Sequence, residues 1–225
     1  MSNKNLHAAK AASKELTLSD YIKISNVNFP SSSWNIEAVI NALEQTQQQI
    51  DIIQKVVCHG NIPNKENMYV FWTNTKKALR WWIECTWVGK EKCEQIKTAF
   101  QNFYLSLYQL LITFKESDKD VLRTFANEAL YQGVVYRYLG YGEPCDSMVT
   151  SKKIIYNDIY VSWSKNSNVP WIKNKLYGKI TKITCKISGE YYGIDIMAFF
   201  ETPINKENEI VFPTIEKLIF ETEVI

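Results

Sequence analysis

The stretch Val121-Leu122-Arg123-Thr124-Phe125-Ala126-Asn127-Glu128-Ala129-Leu130-Tyr131-Gln132-Gly133-Val134-Val135-Tyr136-Arg137-Tyr138-Leu139 contains the change of period on which the fold turns. Before Gly133, the apolar residues Val121, Leu122, Phe125 and Leu130 recur at helical steps, and Ser117-x-x-Asp120 ahead of them has the form of a capping box. Gly133 stops that helix. After it, Val134 to Leu139 is a β-branched and aromatic run that reads as a strand.

Everything on the N-terminal side of this switch is helical in pattern. From Ile36, the residues Val39, Ile40, Leu43, Ile50, Ile53 and Val57 form one stripe beside a polar Gln45 to Gln49 face, and Gly60 and Pro63 close the helix. A second helix is predicted over Met68 to Val88, carrying Phe71, Leu79, Trp82 and Ile83. Its tryptophans Trp81, Trp82 and Trp87 read as core or domain-contact residues rather than ligand platforms. The third has the clearest repeat: Cys93, Ile96, Phe100, Phe103, Leu107, Leu110 and Phe114.

On the C-terminal side, strands are predicted at Ile154 to Val161, Lys179 to Ile187, Tyr192 to Phe200, Ile210 to Phe212 and Leu218 to Val224. Ile183, Cys185 and Ile187 alternate with Lys182, Thr184 and Lys186, the signature of a strand wet on one face. Helices first and short strands second predict an α+β fold, with a helical region over 1–131 packed on a β-rich core over 132–225 as one compact unit. The layering expected from this pattern is a two-sheet β-sandwich. No glycine-rich phosphate loop follows any strand, which excludes dinucleotide-fingerprint and P-loop folds.

Composition narrows the function classes. The chain has 225 residues, 46% hydrophobic and 13% aromatic, enough for a substantial core, and its net charge of +2 carries no global nucleic-acid signature. No run is apolar enough to cross a membrane, and Met1 to Lys14 is polar, so a cytoplasmic protein is expected. The cysteines, Cys58, Cys85, Cys93, Cys145 and Cys185, are odd in number and scattered, unlike a disulfide framework. With only His7 and His59, neither a familiar zinc spacing nor a histidine-based triad is expected.

Three elements bear on chemistry. Glu207-Asn208-Glu209 opens the apolar run Ile210-Val211-Phe212-Pro213; in a regular strand both carboxylates would point to one side, suited to stabilising a sugar cation and orienting a nucleophile. Arg137 lies within an apolar strand, where its guanidinium requires an anionic partner, either a protein carboxylate or a diphosphate held by its planar fork. Ser162-Trp163-Ser164 places two hydroxyls on one face of a strand edge.

In this order and spacing the chain resembles the mono-ADP-ribosyltransferases of the bacterial-toxin type, over about residues 130–225. The matching words are Val135-Tyr136-Arg137, Ser162-Trp163-Ser164, Tyr192-Gly193-Ile194-Asp195-Ile196 and Glu207 through Pro213. The resemblance implies an ADP-ribosyltransferase-like core that cleaves NAD, its substrate. Arg137 and Tyr136 would bind the cofactor with Ser162 and Ser164, Arg137 gripping the diphosphate. Ser162 would also hold Glu209, which would bond the nicotinamide ribose, while Glu207 orients the acceptor. A Glu at that last position is typical of arginine modification. Phe199 and Phe200, in the loop before the pair, would touch the acceptor or else end a buried strand. Trp163 stands where the family usually has Thr, and Tyr138 where it often has Gly, so the pocket wall around Trp163 would be unusual.

The acceptor is expected to be protein arginine. The alternative is an RNA or DNA base, favoured by Lys165, Lys173, Lys175, Lys179, Lys182 and Lys186, which lie with Trp163, Trp171 and Tyr177 in a stretch free of acids. A solvated strand face would look the same. A third reading, from another class, is a non-catalytic binding module of a toxin–antitoxin pair. A toxin acting in the cell that makes it would need a neutralising antitoxin protein.

Overall fold

A computed structural model describes residues 36–85, 94–139, 162–168, 180–200, 208–211 and 220–224. Helix α1 (Ile36–Cys58) is built on the expected stripe: Val39, Leu43, Ile50, Ile53 and Val57 are buried, and the one polar residue among them, Thr46, turns its hydroxyl onto the Ala42 carbonyl at 2.7 Å. Gly60, at φ 74, ends the helix, donating to Val57 O at 2.8 Å while Asn61 reaches Val56 O. Helix α2 (Lys65–Cys85) starts at Asn64, whose side chain accepts from Asn67 N at 2.8 Å. Helix α3 (Glu94–Glu116) runs through the centre: Phe100, Phe103, Leu107, Leu110 and Phe114 are all buried, and α1 packs along it, tied by Gln54 Nε2 to Thr113 Oγ1 at 3.2 Å.

Helix α4 (Asp120–Ala129) differs from expectation at both ends. Its N-cap is Lys119 without a side-chain cap, so the expected capping box does not form. Ser117 lies two residues too early, and its hydroxyl accepts from Lys119 N while its carbonyl takes the Arg123 guanidinium. At the other end the helix stops before Gly133. Leu130 is already extended and opens strand β1 (Leu130–Tyr131), which pairs with Ile194 and Gly193. Tertiary pairing overrides the helical period there.

The remaining strands are β2 (Gly133–Leu139), β3 (Ser162–Ser164), β4 (Thr181–Ile187), β5 (Gly193–Asp195), β6 (Glu209–Val211) and β7 (Phe220–Val224). Helices and antiparallel strands thus segregate as an α+β fold. The described strands join in a single seven-stranded sheet, ordered β1-β5-β6-β3-β2-β4-β7. The strand expected over Tyr192 to Phe200 is cut short: Asp195 accepts from Met197 N at 3.0 Å and folds Ile196–Phe199 into a 3-10 turn. The strand expected over Ile154 to Val161 lies outside the described residues.

One face of the sheet packs on the helices, because Leu130, Ile194 and Val211 share a buried cluster with the apolar faces of all four described helices. The opposite face carries a second cluster of Val135, Trp163, Ile183, Cys185, Ile187 and Ile210. Strand β4 has the expected alternation, with Ile183, Cys185 and Ile187 buried, Lys182 and Thr184 half-buried and Lys186 exposed, whereas β6 is apolar on both faces at Ile210 and Val211. Among the described residues no helix is long and apolar enough to cross a membrane.

Candidate functional site

Strands β6, β3 and β2, which carry the sequence elements singled out above, are consecutive in the sheet although far apart in the chain. Two side-chain rows cross them. Tyr136 lies opposite Ser164 and Ser164 opposite Glu209. Directly paired residues of antiparallel strands point to the same face, so these three side chains form one row. It belongs to the helix-packed face, since Val211, two residues beyond Glu209, is in the helical cluster.

Glu209 is only 5% exposed, and its Oε1 accepts the indole N–H of Trp82 at 2.7 Å, a bond from helix α2 to the sheet. Trp82 is set edge-on to Phe100 and Tyr104 of α3, with both ring centroids at 5.2 Å. Tyr104 is completely buried, and burial, with the Glu209 charge adding to it, holds its phenol well above the ordinary tyrosine range. Tyr104 therefore stays neutral beside the carboxylate. Trp82, expected as a core or domain-contact residue, makes a contact between the helices and the sheet, and its bond to Glu209 adds a partner that the sequence does not name. The available signal is general: an indole N–H drawn into a helix–sheet contact needs an acceptor.

Ser164 is buried, and its hydroxyl accepts from Asn166 N at 2.9 Å. Ser162, the residue expected to hold Glu209, lies opposite Val211 and so on the same face of the sheet as Glu209, while Ser164 lies directly opposite Glu209. Asn208 has φ 50 and the regular strand begins at Glu209; Glu207, and with it the expectation that both carboxylates point to one side, lies outside the described residues.

Arg137 belongs to the other row. It pairs with Ile183 and follows Tyr136 in β2, so alternation sets it on the face of Val135, Trp163 and Ile210, away from Glu209. Tyr136 and Tyr138 occupy the Glu209 side of β2. Trp163 is 2% exposed and packed in the second cluster. Phe199 has no exposed surface, sitting 5.4 Å from both Trp72 and Phe125, while Phe200 is half-buried.

The lysine-rich stretch is partly neutralised in space. Lys165 pairs with Asp195 at 2.6 Å and lies over the Tyr131 ring, and Lys182 is 3.6 Å from Glu223 and over the Tyr136 ring. These acids come from strands distant in sequence, which is why the local bias overstated the field. Lys186 is exposed, and Lys173, Lys175, Lys179, Trp171 and Tyr177 lie outside the described residues.

Among the described residues, no group of three or more His, Cys, Asp or Glu is placed to hold a metal ion. No protein-family model, no curated protein and no solved structure matches the chain.

Proposed function

We propose that the chain is a mono-ADP-ribosyltransferase that cleaves NAD and transfers ADP-ribose to a macromolecular acceptor, a protein arginine before an RNA or DNA base. The supporting observation is the adjacency of β6, β3 and β2, which brings the strand of Glu209 beside that of the two serines and the latter beside that of Arg137. In this reading the sheet belongs to a two-sheet sandwich core. The bond between nicotinamide and C1′ of the ribose breaks, and its electron pair leaves with nicotinamide. Positive charge develops on the sugar, and a fixed carboxylate, Glu209, stabilises it more effectively than mobile water. The acceptor nitrogen then bonds C1′ and surrenders its proton, with Glu207 the group to receive or direct it. The pairing of Lys165 and Lys182 with acids favours a protein acceptor, since it removes charge that a phosphate backbone would use. Such an enzyme acts in the cytoplasm and calls for a neutralising partner protein.

A second reading, a non-catalytic binding module, is favoured by one observation: Arg137 and Glu209 occupy opposite faces of the sheet, so in that reading Glu209 is a structural anchor for Trp82. Labelled NAD separates the two. The enzyme reading expects the wild type to release nicotinamide and label an acceptor that protease, and not nuclease, destroys. It expects Glu209→Gln to lose at least about 100-fold in rate, the scale of removing one electrostatic contact to the transition state. Arg137→Ala is expected to raise KM for NAD. Full NAD cleavage by Glu209→Gln rejects the site, and an inert wild type rejects the enzyme.

A further inference from the structure

Resting on the transferase reading, we infer that Trp82 is a positioning residue for Glu209, so that the helical half sets the direction of the carboxylate. Glu209 is the first residue of a three-residue strand and follows Asn208 at φ 50, so its own strand constrains it only from one side. The Trp82 N–H meets Oε1 at 2.7 Å, the short length of a charge-assisted bond. Trp82 is itself held by Phe100 and Tyr104, both at 5.2 Å and steeply inclined, with Tyr104 stacked toward Phe100 at 6.4 Å. A donor with so little freedom fixes one carboxylate oxygen, and fixing one oxygen fixes where the other points. The residue comes from 127 positions away in sequence, so this half of the chain does more than support the sheet.

The test is Trp82→Phe, which keeps one aromatic ring between Phe100 and Tyr104 while removing the N–H donor together with the rest of the indole. NAD cleavage by this variant is expected to fall about tenfold to a hundredfold in kcat, the range for losing a hydrogen bond to a charged group, with KM for NAD within about twofold. A merely structural role would lower the melting temperature without this split. Trp81→Phe, one residue along the same helix, is the control and should leave kcat unchanged. A second measurement is independent of catalysis: in ¹⁵N-indole spectra, one of the seven tryptophan resonances should move on Glu209→Gln. Wild-type kcat in a folded Trp82→Phe protein overturns the inference and leaves the transferase reading standing. An inert wild type overturns both. Should Trp82→Phe not fold, the spectra decide, and an unmoved set of indole resonances in Glu209→Gln overturns the inference.

Discussion

Phe199 offers the clearest separation between a recognition residue and a core residue. Its ring has no exposed surface, lies 5.4 Å from Trp72 at 56° and 5.4 Å from Phe125 at 81°, and so joins the 3-10 turn to α2 and α4. Truncating a fully buried Phe to Ala costs about 3–5 kcal/mol, within which the two ring pairs account for roughly 0.5–1.5 kcal/mol each. At about 2–4 °C of Tm per kcal/mol for a chain of this size, Phe199→Ala should melt about 6–20 °C below the wild type. Phe200→Ala, removing a half-buried ring, should lose under about 2 kcal/mol. The assay is thermal and urea unfolding followed by circular dichroism, with acceptor labelling measured on the same samples. A Phe199→Ala protein as stable as the wild type but altered in acceptor choice would show that the ring is not core, and the packing argument would fail.

Two further outcomes follow from the backbone and from burial. Gly133 has φ 150, and a Cβ there would lie 2.5 Å from Tyr131 Oη and 2.8 Å from Cζ. Gly133→Ala should therefore cost about 1–3 kcal/mol in backbone strain, and displace Tyr131 from the Val134 carbonyl and from under Lys165. Gly189→Ala, at φ 74 in open space, should cost only about 1–2 kcal/mol, and equal melting of the two variants would contradict the clash. For the thiols, burial pushes Cys185 up to about 12, so at pH 8 iodoacetamide should modify exposed Cys58 and spare Cys185, as mass mapping would show. Because the folded value is raised, the Cys185 contribution to stability is intact below about pH 9 and declines toward about 12, by at most about 1.4 kcal/mol per unit. Cys185→Val should flatten that alkaline loss, and unaltered pH dependence would refute it.

The helices were legible because each has a stripe long enough for the 3.6 period to show. The buried residues of α1 and α3 are the periodic ones, and the ends shift by a few residues. Boundaries failed where a side chain or a partner strand decided them. Leu130 continues the helical period yet pairs with Ile194, and Asp195 sits in a β-rich run yet caps a 3-10 turn. Strand pairing itself is non-local and leaves no mark on any one segment. Nothing near Lys165 announces Asp195 as its partner, nor anything near Lys182 Glu223, and so the lysine stretch looked more basic than it is. The bond of Trp82 to Glu209, across 127 positions, is non-local in the same way.

The two side-chain rows of the sheet bear directly on how NAD would be held. A one-residue step along a strand turns a side chain to the other face, so the pairing of Tyr136 with Ser164 commits Arg137 to the Trp163 side as firmly as it commits Glu209 to the Tyr136 side. A dinucleotide lying wholly on the Glu209 face would meet Tyr136 and Tyr138 from β2, and its diphosphate would find Lys182, over the Tyr136 ring, in place of Arg137. A dinucleotide gripped by Arg137 would have to pass around the strand ends, where β6 begins at Glu209 and β3 ends at Ser164. That end is also where Lys165 N bonds Asn208 O at 3.1 Å, closing the two strands together. The effect of Arg137→Ala on KM therefore discriminates between these routes. A large rise means that the ligand spans both faces around that end, and an unchanged KM confines it to the face that Trp82 and Tyr104 enclose.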